Sequence, residues 1–157
     1  MVEPALQELR ERLPVVGADG ETSHLAVRLT QPGGAGRSRF AFLYLHGFGS
    51  AQSGEKADYF RARAVAEGFP FCSFDFRGHG ASQPATNDDY SYAGRAEDLA
   101  SVADTLELEH FALVAHSGGV AVALEYARQQ PERALGLLLL DPPSDPRALP
   151  RSIKDRM

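Results

Sequence analysis

Residues Ala112 to Val120 read ALVAHSGGV, an apolar strand leading into a turn of small residues, with Ser117 at its apex and an alanine-rich helix behind it. A serine on a sharp strand-to-helix turn has its hydroxyl lifted clear of the sheet, where it can attack a carbonyl carbon. Such a turn strains the serine backbone and demands small neighbours. Ala115, Gly118 and Gly119 supply them. The spacing is A-x-S-x-G rather than G-x-S-x-G, so the methyl of Ala115 needs room beside it. A nucleophile of this kind hands its proton to a base, usually a histidine. All five histidines, His24, His46, His79, His110 and His116, precede the serine.

The elements that must position Ser117 alternate in type. Phe40 to Leu45 (FAFLYL) is continuously apolar and ends in His46-Gly47, the pattern of a central strand buried on both faces. His24 to Thr30 alternates, with Leu25, Val27 and Leu29 on one face, as a strand of an early hairpin at the sheet edge. Pro32 to Gly36 (PGGAG) reads as a surface turn. Ala57, Phe60, Ala64 and Val65 recur at helical spacing up to a stop at Gly68. Phe71 to Phe76 is predicted as the next buried strand, emptying into the turn Arg77-Gly78-His79-Gly80. Leu99, Val102, Ala103 and Leu106 mark one face of a second helix, with acidic residues opposite. Phe111 to Ala115 precedes the serine as a strand, and Val120 to Arg128 follows it as a helix. Leu135 to Leu140 is predicted as a further buried strand ending at Asp141.

This alternation predicts an α/β fold, a mostly parallel sheet with helices on both faces and right-handed crossovers. Sites in such sheets gather at the carboxyl ends of the strands. His46, Asp75, Ser117 and Asp141 fall there, while His24 and His110, at strand starts, are expected at the opposite end.

The succession YLHGFGS (Tyr44 to Ser50), FDFRGHGAS (Phe74 to Ser82), LVAHSGG (Leu113 to Gly119) and LLLLDPPSD (Leu137 to Asp145) resembles the α/β-hydrolase fold superfamily. It is most similar to the small serine esterase, thioesterase and serine-aminopeptidase-like branches, where HGFGS followed by GEKA (Gly54 to Ala57) is a familiar style of loop. The resemblance implies a serine hydrolase acting on an ester, thioester or amide bond of a small acyl-type substrate. It assigns Ser117 as nucleophile and the backbone N–H groups of Phe48 and Gly118 as the oxyanion hole. It also implies that His46 and Gly47 shape the oxyanion loop. Some branches place the acid after the strand present here, which makes Asp141 or Asp145 the acid; Asp-Pro-Pro also reads as a strand terminator. Asp75 is expected to bond amides of its own turn, and His79 and His116 to be loop and packing residues.

The family's last strands and late histidine come after Leu140. The chain is therefore expected to be the amino-terminal part of such a fold, one apparently incomplete domain over 1–157, with 146–157 starting a lid or forming a frayed tail. Strand 135–140 is then an open leucine edge seeking a partner, either a further segment or a second copy in a homodimer. The alternative reading is a non-catalytic hydrolase-like binding module or a truncated fragment.

Composition agrees with one core: 157 residues at 43% hydrophobic content. Sixteen basic against 21 acidic residues give a net charge of −5 with no basic block, which excludes a phosphate track for nucleic acid. Cys72, the single cysteine, lies in an apolar run, cannot form an internal disulfide and reads as core filler in a reducing compartment. The opening MVEPALQELRERLP lacks the apolar stretch of a secretory signal, and no run approaches the ~20 residues of a membrane span. A cytoplasmic protein without cofactor or metal is expected. Gly49 to Lys56 (GSAQSGEK) sits between strand and helix as a phosphate loop does. However, Glu55 takes the lysine position, Lys56 is one place late and Ala57 has no hydroxyl, so nucleotide binding is set aside.

Overall fold

The computed structural model describes residues 6–16, 19–33, 39–86 and 88–143; Asp145, the segment 146–157 and most of the Pro32 to Gly36 turn lie outside them. The described chain forms strands β1 (Gln7–Val16), β2 (Thr22–Gln31), β3 (Phe40–Leu45), β4 (Phe71–Phe74), β5 (His110–His116) and β6 (Ala134–Leu140). Its helices are α1 (Glu55–Ala66), α2 (Tyr92–Thr105) and α3 (Gly118–Gln129). The sheet order is β1-β2-β4-β3-β5-β6. β1 and β2 form an antiparallel hairpin, β2 meets β4 antiparallel, and β4, β3, β5 and β6 run parallel.

Alternation along each central strand divides the core between the two faces. Leu43, Leu45, Cys72, Phe74, Leu113 and Ala115 pack with Leu99 and Val102 of α2 and Val122 and Tyr126 of α3. Tyr44, Phe71 and Val114 face the other way, against Ala57 and Ala64 of α1. Helices thus cover both faces, as the strand–helix alternation predicts. Cys72 is sealed in the first cluster, and burial pushes its thiol pKa up to about 12, so it is packing rather than chemistry.

Several elements depart from the sequence pattern. β1 was legible only as a charged opening segment, because Leu13 and Val15 alone turn inward and its other residues face solvent. The strand predicted over Phe71 to Phe76 ends at Phe74. Asp75 N–H leaves the parallel ladder to donate to Ala26 O at 3.0 Å, and Phe76 N–H turns to His46. β6 is not a buried strand. Leu135 is 63% exposed, and Leu137, Leu138 and Leu139 are exposed too, because β6 is the sheet's last strand and pairs only with β5 among the described residues. The acidic face assigned to α2 is broken by Asp98, which is 2% exposed and points inward. His24 lies at the site end of the sheet rather than opposite it. β2 runs antiparallel to β4, so its start stands beside the turn that follows β4, where His24 N–H bonds Gln83 Oε1. His110 does lie at the far end.

Candidate active site

Ser117 joins β5 to α3 with φ 50° and ψ −117°, a left-handed conformation that costs a non-glycine residue about 1–3 kcal/mol and persists only where its surroundings enforce it. Two bonds do so: Ser117 N–H donates to Leu140 O at 2.9 Å, tying the turn to the end of β6, and Val120 N–H donates to Ser117 O at 3.0 Å. Its hydroxyl has no hydrogen-bond partner among the described residues. Ala115, the departure from the all-glycine pattern, is fully buried in the core cluster and its methyl is accommodated there.

The glycines behind the serine let α3 dock against the end of β3. A Cβ on Gly119 would stand 2.5 Å from Leu45 O and 2.8 Å from His46 O. Gly119→Ala therefore forces two backbones apart. Helix propensity returns at most ~1 kcal/mol, while overpacking against backbone costs about 1–3 kcal/mol or more. A net loss is expected, lowering the thermal midpoint by about 2–4 °C per kcal/mol; calorimetry of the variant checks it. At Gly118 a Cβ would meet the Phe48 ring at 2.8 Å, so the ring lies directly on the start of α3. On the other strand loop, a Cβ at Gly47 would come within 3.3 Å of Ser117 Cβ. The loop after β3 and the turn after β5 are thus in contact. The N–H of Gly118 opens α3, where amides lack intrahelical partners. Among the described residues neither it nor the N–H of Phe48 has an acceptor.

His46 is fully buried between these loops. Its Nε2 accepts from Phe76 N–H at 3.0 Å, which leaves Nδ1 to donate to Gly47 O at 2.7 Å. The ring thus staples the loop after β3 to the turn after β4. Asp75 does the same from the other side: Oδ1 accepts from Gln52 N–H at 2.7 Å, and Oδ2 accepts from Ala81 N–H at 3.0 Å and Gln52 Nε2 at 3.2 Å. His116 Nε2 stands 3.4 Å from Asp141 Oδ2. Asp141 is 79% exposed along its side chain and meets His116 rather than a histidine facing Ser117. Asp145 lies outside the described residues. His79 packs on His46 and Phe48, with ring centroids 5.2 and 6.2 Å apart. None of the five histidines hydrogen-bonds the Ser117 hydroxyl.

The profile of the alpha/beta hydrolase fold family matches residues 41–155. The chain belongs to the α/β-hydrolase fold family. Among curated proteins, RutD of Klebsiella pneumoniae (strain 342), described as a candidate carbamate hydrolase, is 33% identical over 80 residues, 50% of this chain and 30% of that protein. Among solved structures, a thermophilic esterase from Thermogutta terrifontis is 27% identical with TM-score 0.70, covering 93% of this chain and 50% of the esterase. A hydrolase from Agrobacterium vitis S4 has TM-score 0.75 at 24% identity, which shows the fold; it is covered over 60% of its length by 96% of this chain. The chain therefore spans only part of the length of these relatives.

Within this α/β-hydrolase sheet, two arginines near the serine escaped the sequence reading. Arg77 donates through Nε and Nη2 to both oxygens of Asp98, at 2.6 and 2.5 Å, and to the carbonyls of Asp89 and Gly94 at 2.9 and 2.8 Å. It ties the turn after β4 to α2. Arg95 lies over the Phe48 ring at 4.4 Å. No local motif marks the Arg77–Asp98 pair. Arg95 stands four residues before Leu99 on the inner face of α2, and that spacing is the signal that could have found it.

His46 has its pKa lowered, chiefly by burial, despite the Gly47 carbonyl that favours its charged form. An unfolded histidine titrates near 6.5, so on acidification the unfolded chain takes up this proton first. The stability held by neutral His46 is complete above about pH 6.5 and is lost as pH falls from there through the lower folded value. Between pH 7.5 and 5.5 the urea midpoint of the wild type is expected to fall further than that of His46→Gln. Parallel falls in the two proteins count against the staple.

Proposed function

We propose that this α/β-hydrolase chain carries the nucleophile and oxyanion hole of a serine hydrolase acting on an ester, thioester or amide bond of a small substrate. The observation that carries the reading is the strained Ser117 at the β5–α3 turn, its hydroxyl free and its backbone in contact with the loop that holds Phe48. Ser117 Oγ attacks the carbonyl carbon and its proton passes to a base. The oxyanion is received by Phe48 N–H and Gly118 N–H, with the positive end of α3 behind the second donor. The bond to the leaving group then breaks, the leaving group takes the proton, and water releases the acyl group from Ser117. The reading is supported by the names of relatives, esterases and a candidate carbamate hydrolase, which denote substrates with an acyl carbon.

The base is the part these residues do not supply. His46 is locked by two hydrogen bonds and His116 is engaged with Asp141. Turnover on this reading draws its base from a group other than the five histidines, and the exposed leucine edge of β6 suits a further segment or second copy that brings it. For the acid, Asp141 and Asp145 are the residues proposed. The lone buried Cys72 suits the cytoplasm. Among the described residues no helix is long and apolar enough to cross a membrane.

The same freedom of the Ser117 hydroxyl favours a second reading, a hydrolase-like module that binds an acyl compound without turning it over. A fluorophosphonate probe separates the two. Covalent addition on the Ser117 peptide, found by mass spectrometry, is expected of the hydrolase. Addition elsewhere, or none while a serine esterase in the same tube is labelled, counts against an activated Ser117 in this chain.

A further inference from the structure

Arg77 and Arg95 stand in the same stretch of chain but are satisfied in opposite ways. Arg77 spends the Nε/Nη2 edge of its guanidinium on Asp98, the side-on bidentate pairing that a planar fork makes with a carboxylate. Arg95, 7% exposed, has no carboxylate within ion-pair distance among the described residues. Its Nη1 donates to Tyr90 O at 2.5 Å. Its Nε is sealed from solvent and unpartnered. Nη2 also lacks a partner among the described residues and, unlike Nε, is not sealed.

Aromatic faces hold the cation instead. The guanidinium carbon lies 4.4 Å from the Phe48 ring centroid, 5.8 Å from Tyr90 and 5.9 Å from Phe76, and Tyr92 stacks on Phe48 at 6.0 Å. Cation–π contacts offset part of the desolvation but supply no acceptor, and a buried donor without one is destabilising. Burial accordingly lowers the Arg95 pKa. Phe48 ties Arg95 to the serine turn: one part of its ring rests on Gly118, and it carries Arg95 as well. The ring is itself partly exposed.

We propose that the unfilled Nε/Nη2 edge of Arg95 is a carboxylate subsite linked through Phe48 to the serine turn, selecting short acyl substrates that end in a carboxylate, such as half-esters of small dicarboxylic acids. The inference rests on the serine-hydrolase reading for what the carboxylate is attached to, but its test does not need turnover. In Ser117→Ala, nuclear magnetic resonance titrations compare monomethyl succinate, which keeps a free carboxylate, with dimethyl succinate, which masks it. The monoester is expected to bind at least about ten-fold more tightly, the order of a charge-assisted hydrogen-bond pair, and to shift the Arg95 Nε–H resonance. Arg95→Leu is expected to abolish the preference, and Arg95→Lys to keep part of it, since lysine retains charge without the fork. Equal affinities of the two esters overturn the proposal; that is the result if a carboxylate of the protein itself already fills the edge. A preference that survives in both variants overturns it as well. Fluorophosphonate labelling of the unsubstituted chain fails or succeeds independently, so loss of the serine reading and loss of this subsite are told apart.

Discussion

Ser117→Ala is expected to remove nearly all hydrolysis of p-nitrophenyl acetate above the buffer rate, a loss of at least about a hundred-fold. In enzymes with a complete triad, deleting the nucleophile costs about a million-fold, and the oxyanion hole with binding alone leaves a residue of roughly a thousand-fold over water. A lower starting rate is expected here, because no histidine hydrogen-bonds the Ser117 hydroxyl among the described residues, and the measurable loss shrinks with it. The variant leaves the turn's backbone bonds to Leu140 and Val120 in place, since neither uses the side chain. The effect thus reads chemistry rather than folding. His116→Gln is the companion: its imidazole faces Asp141, and a change of no more than a few-fold is expected. A rate indifferent to Ser117 removes the nucleophile from the proposed mechanism. A large loss in His116→Gln makes the histidine beside the serine its base.

Asp98→Ala carries the largest expected cost in stability, about 3–5 kcal/mol, the range for removing one member of a buried ion pair. Burial pushes the Asp98 carboxyl pKa up, which marks what its desolvation costs, while its hydrogen bonds raise the Arg77 pKa and keep that guanidinium charged. The pair as a whole is therefore worth far less than either half left alone. Truncating Asp98 leaves a cation that is nine-tenths buried with the Asp89 and Gly94 carbonyls and, 3.9 Å from Nη1, the partly exposed Asp89 carboxylate, none of which replaces the bidentate pairing. Urea unfolding monitored by circular dichroism should show the midpoint collapse in Asp98→Ala and recover in part in the double variant Asp98→Ala/Arg77→Met, where no charge is stranded. A single variant within ~1 kcal/mol of wild type shows that water reaches the pair and that it does not brace the turn after β4. That turn holds His79 and Gly80 against His46 and Asp75, so some loss of Ser117 reactivity is expected to accompany the fall in stability.

Much of the fold was written in local pattern. Continuous apolar runs announce β3 and β5 because strands buried on both faces have no polar side to show, and the inner face of α2 appears in Leu99, Val102 and Ala103. The serine turn was equally legible, since a strained turn packed between two strands admits only small residues around Ser117, and that constraint is visible residue by residue. For His46 the resemblance, not the local pattern, implied a loop-shaping role, and the structure gives its ring two hydrogen bonds, to Gly47 O and Phe76 N–H.

Other features depend on direction and neighbours, which no window of sequence contains. Leu135 to Leu140 has the composition of a buried strand, yet its exposure is set by what stands beside β6. His24 changed ends because β2 runs against β4, and strand direction is a property of the pairing. β1 carries too few inward residues to declare itself and becomes a strand through its partner β2. Asp98 and Arg95 look like surface charges on a helix. Only the packing of α2 against the turn after β4 shows that one is spent on Arg77 and the other is left facing aromatic rings with a donor edge unfilled. Periodicity and residue size act along the chain and so are readable from it by themselves. Desolvation, strand direction and the pairing of buried charges arise between segments distant in sequence, and the tertiary structure alone decides them.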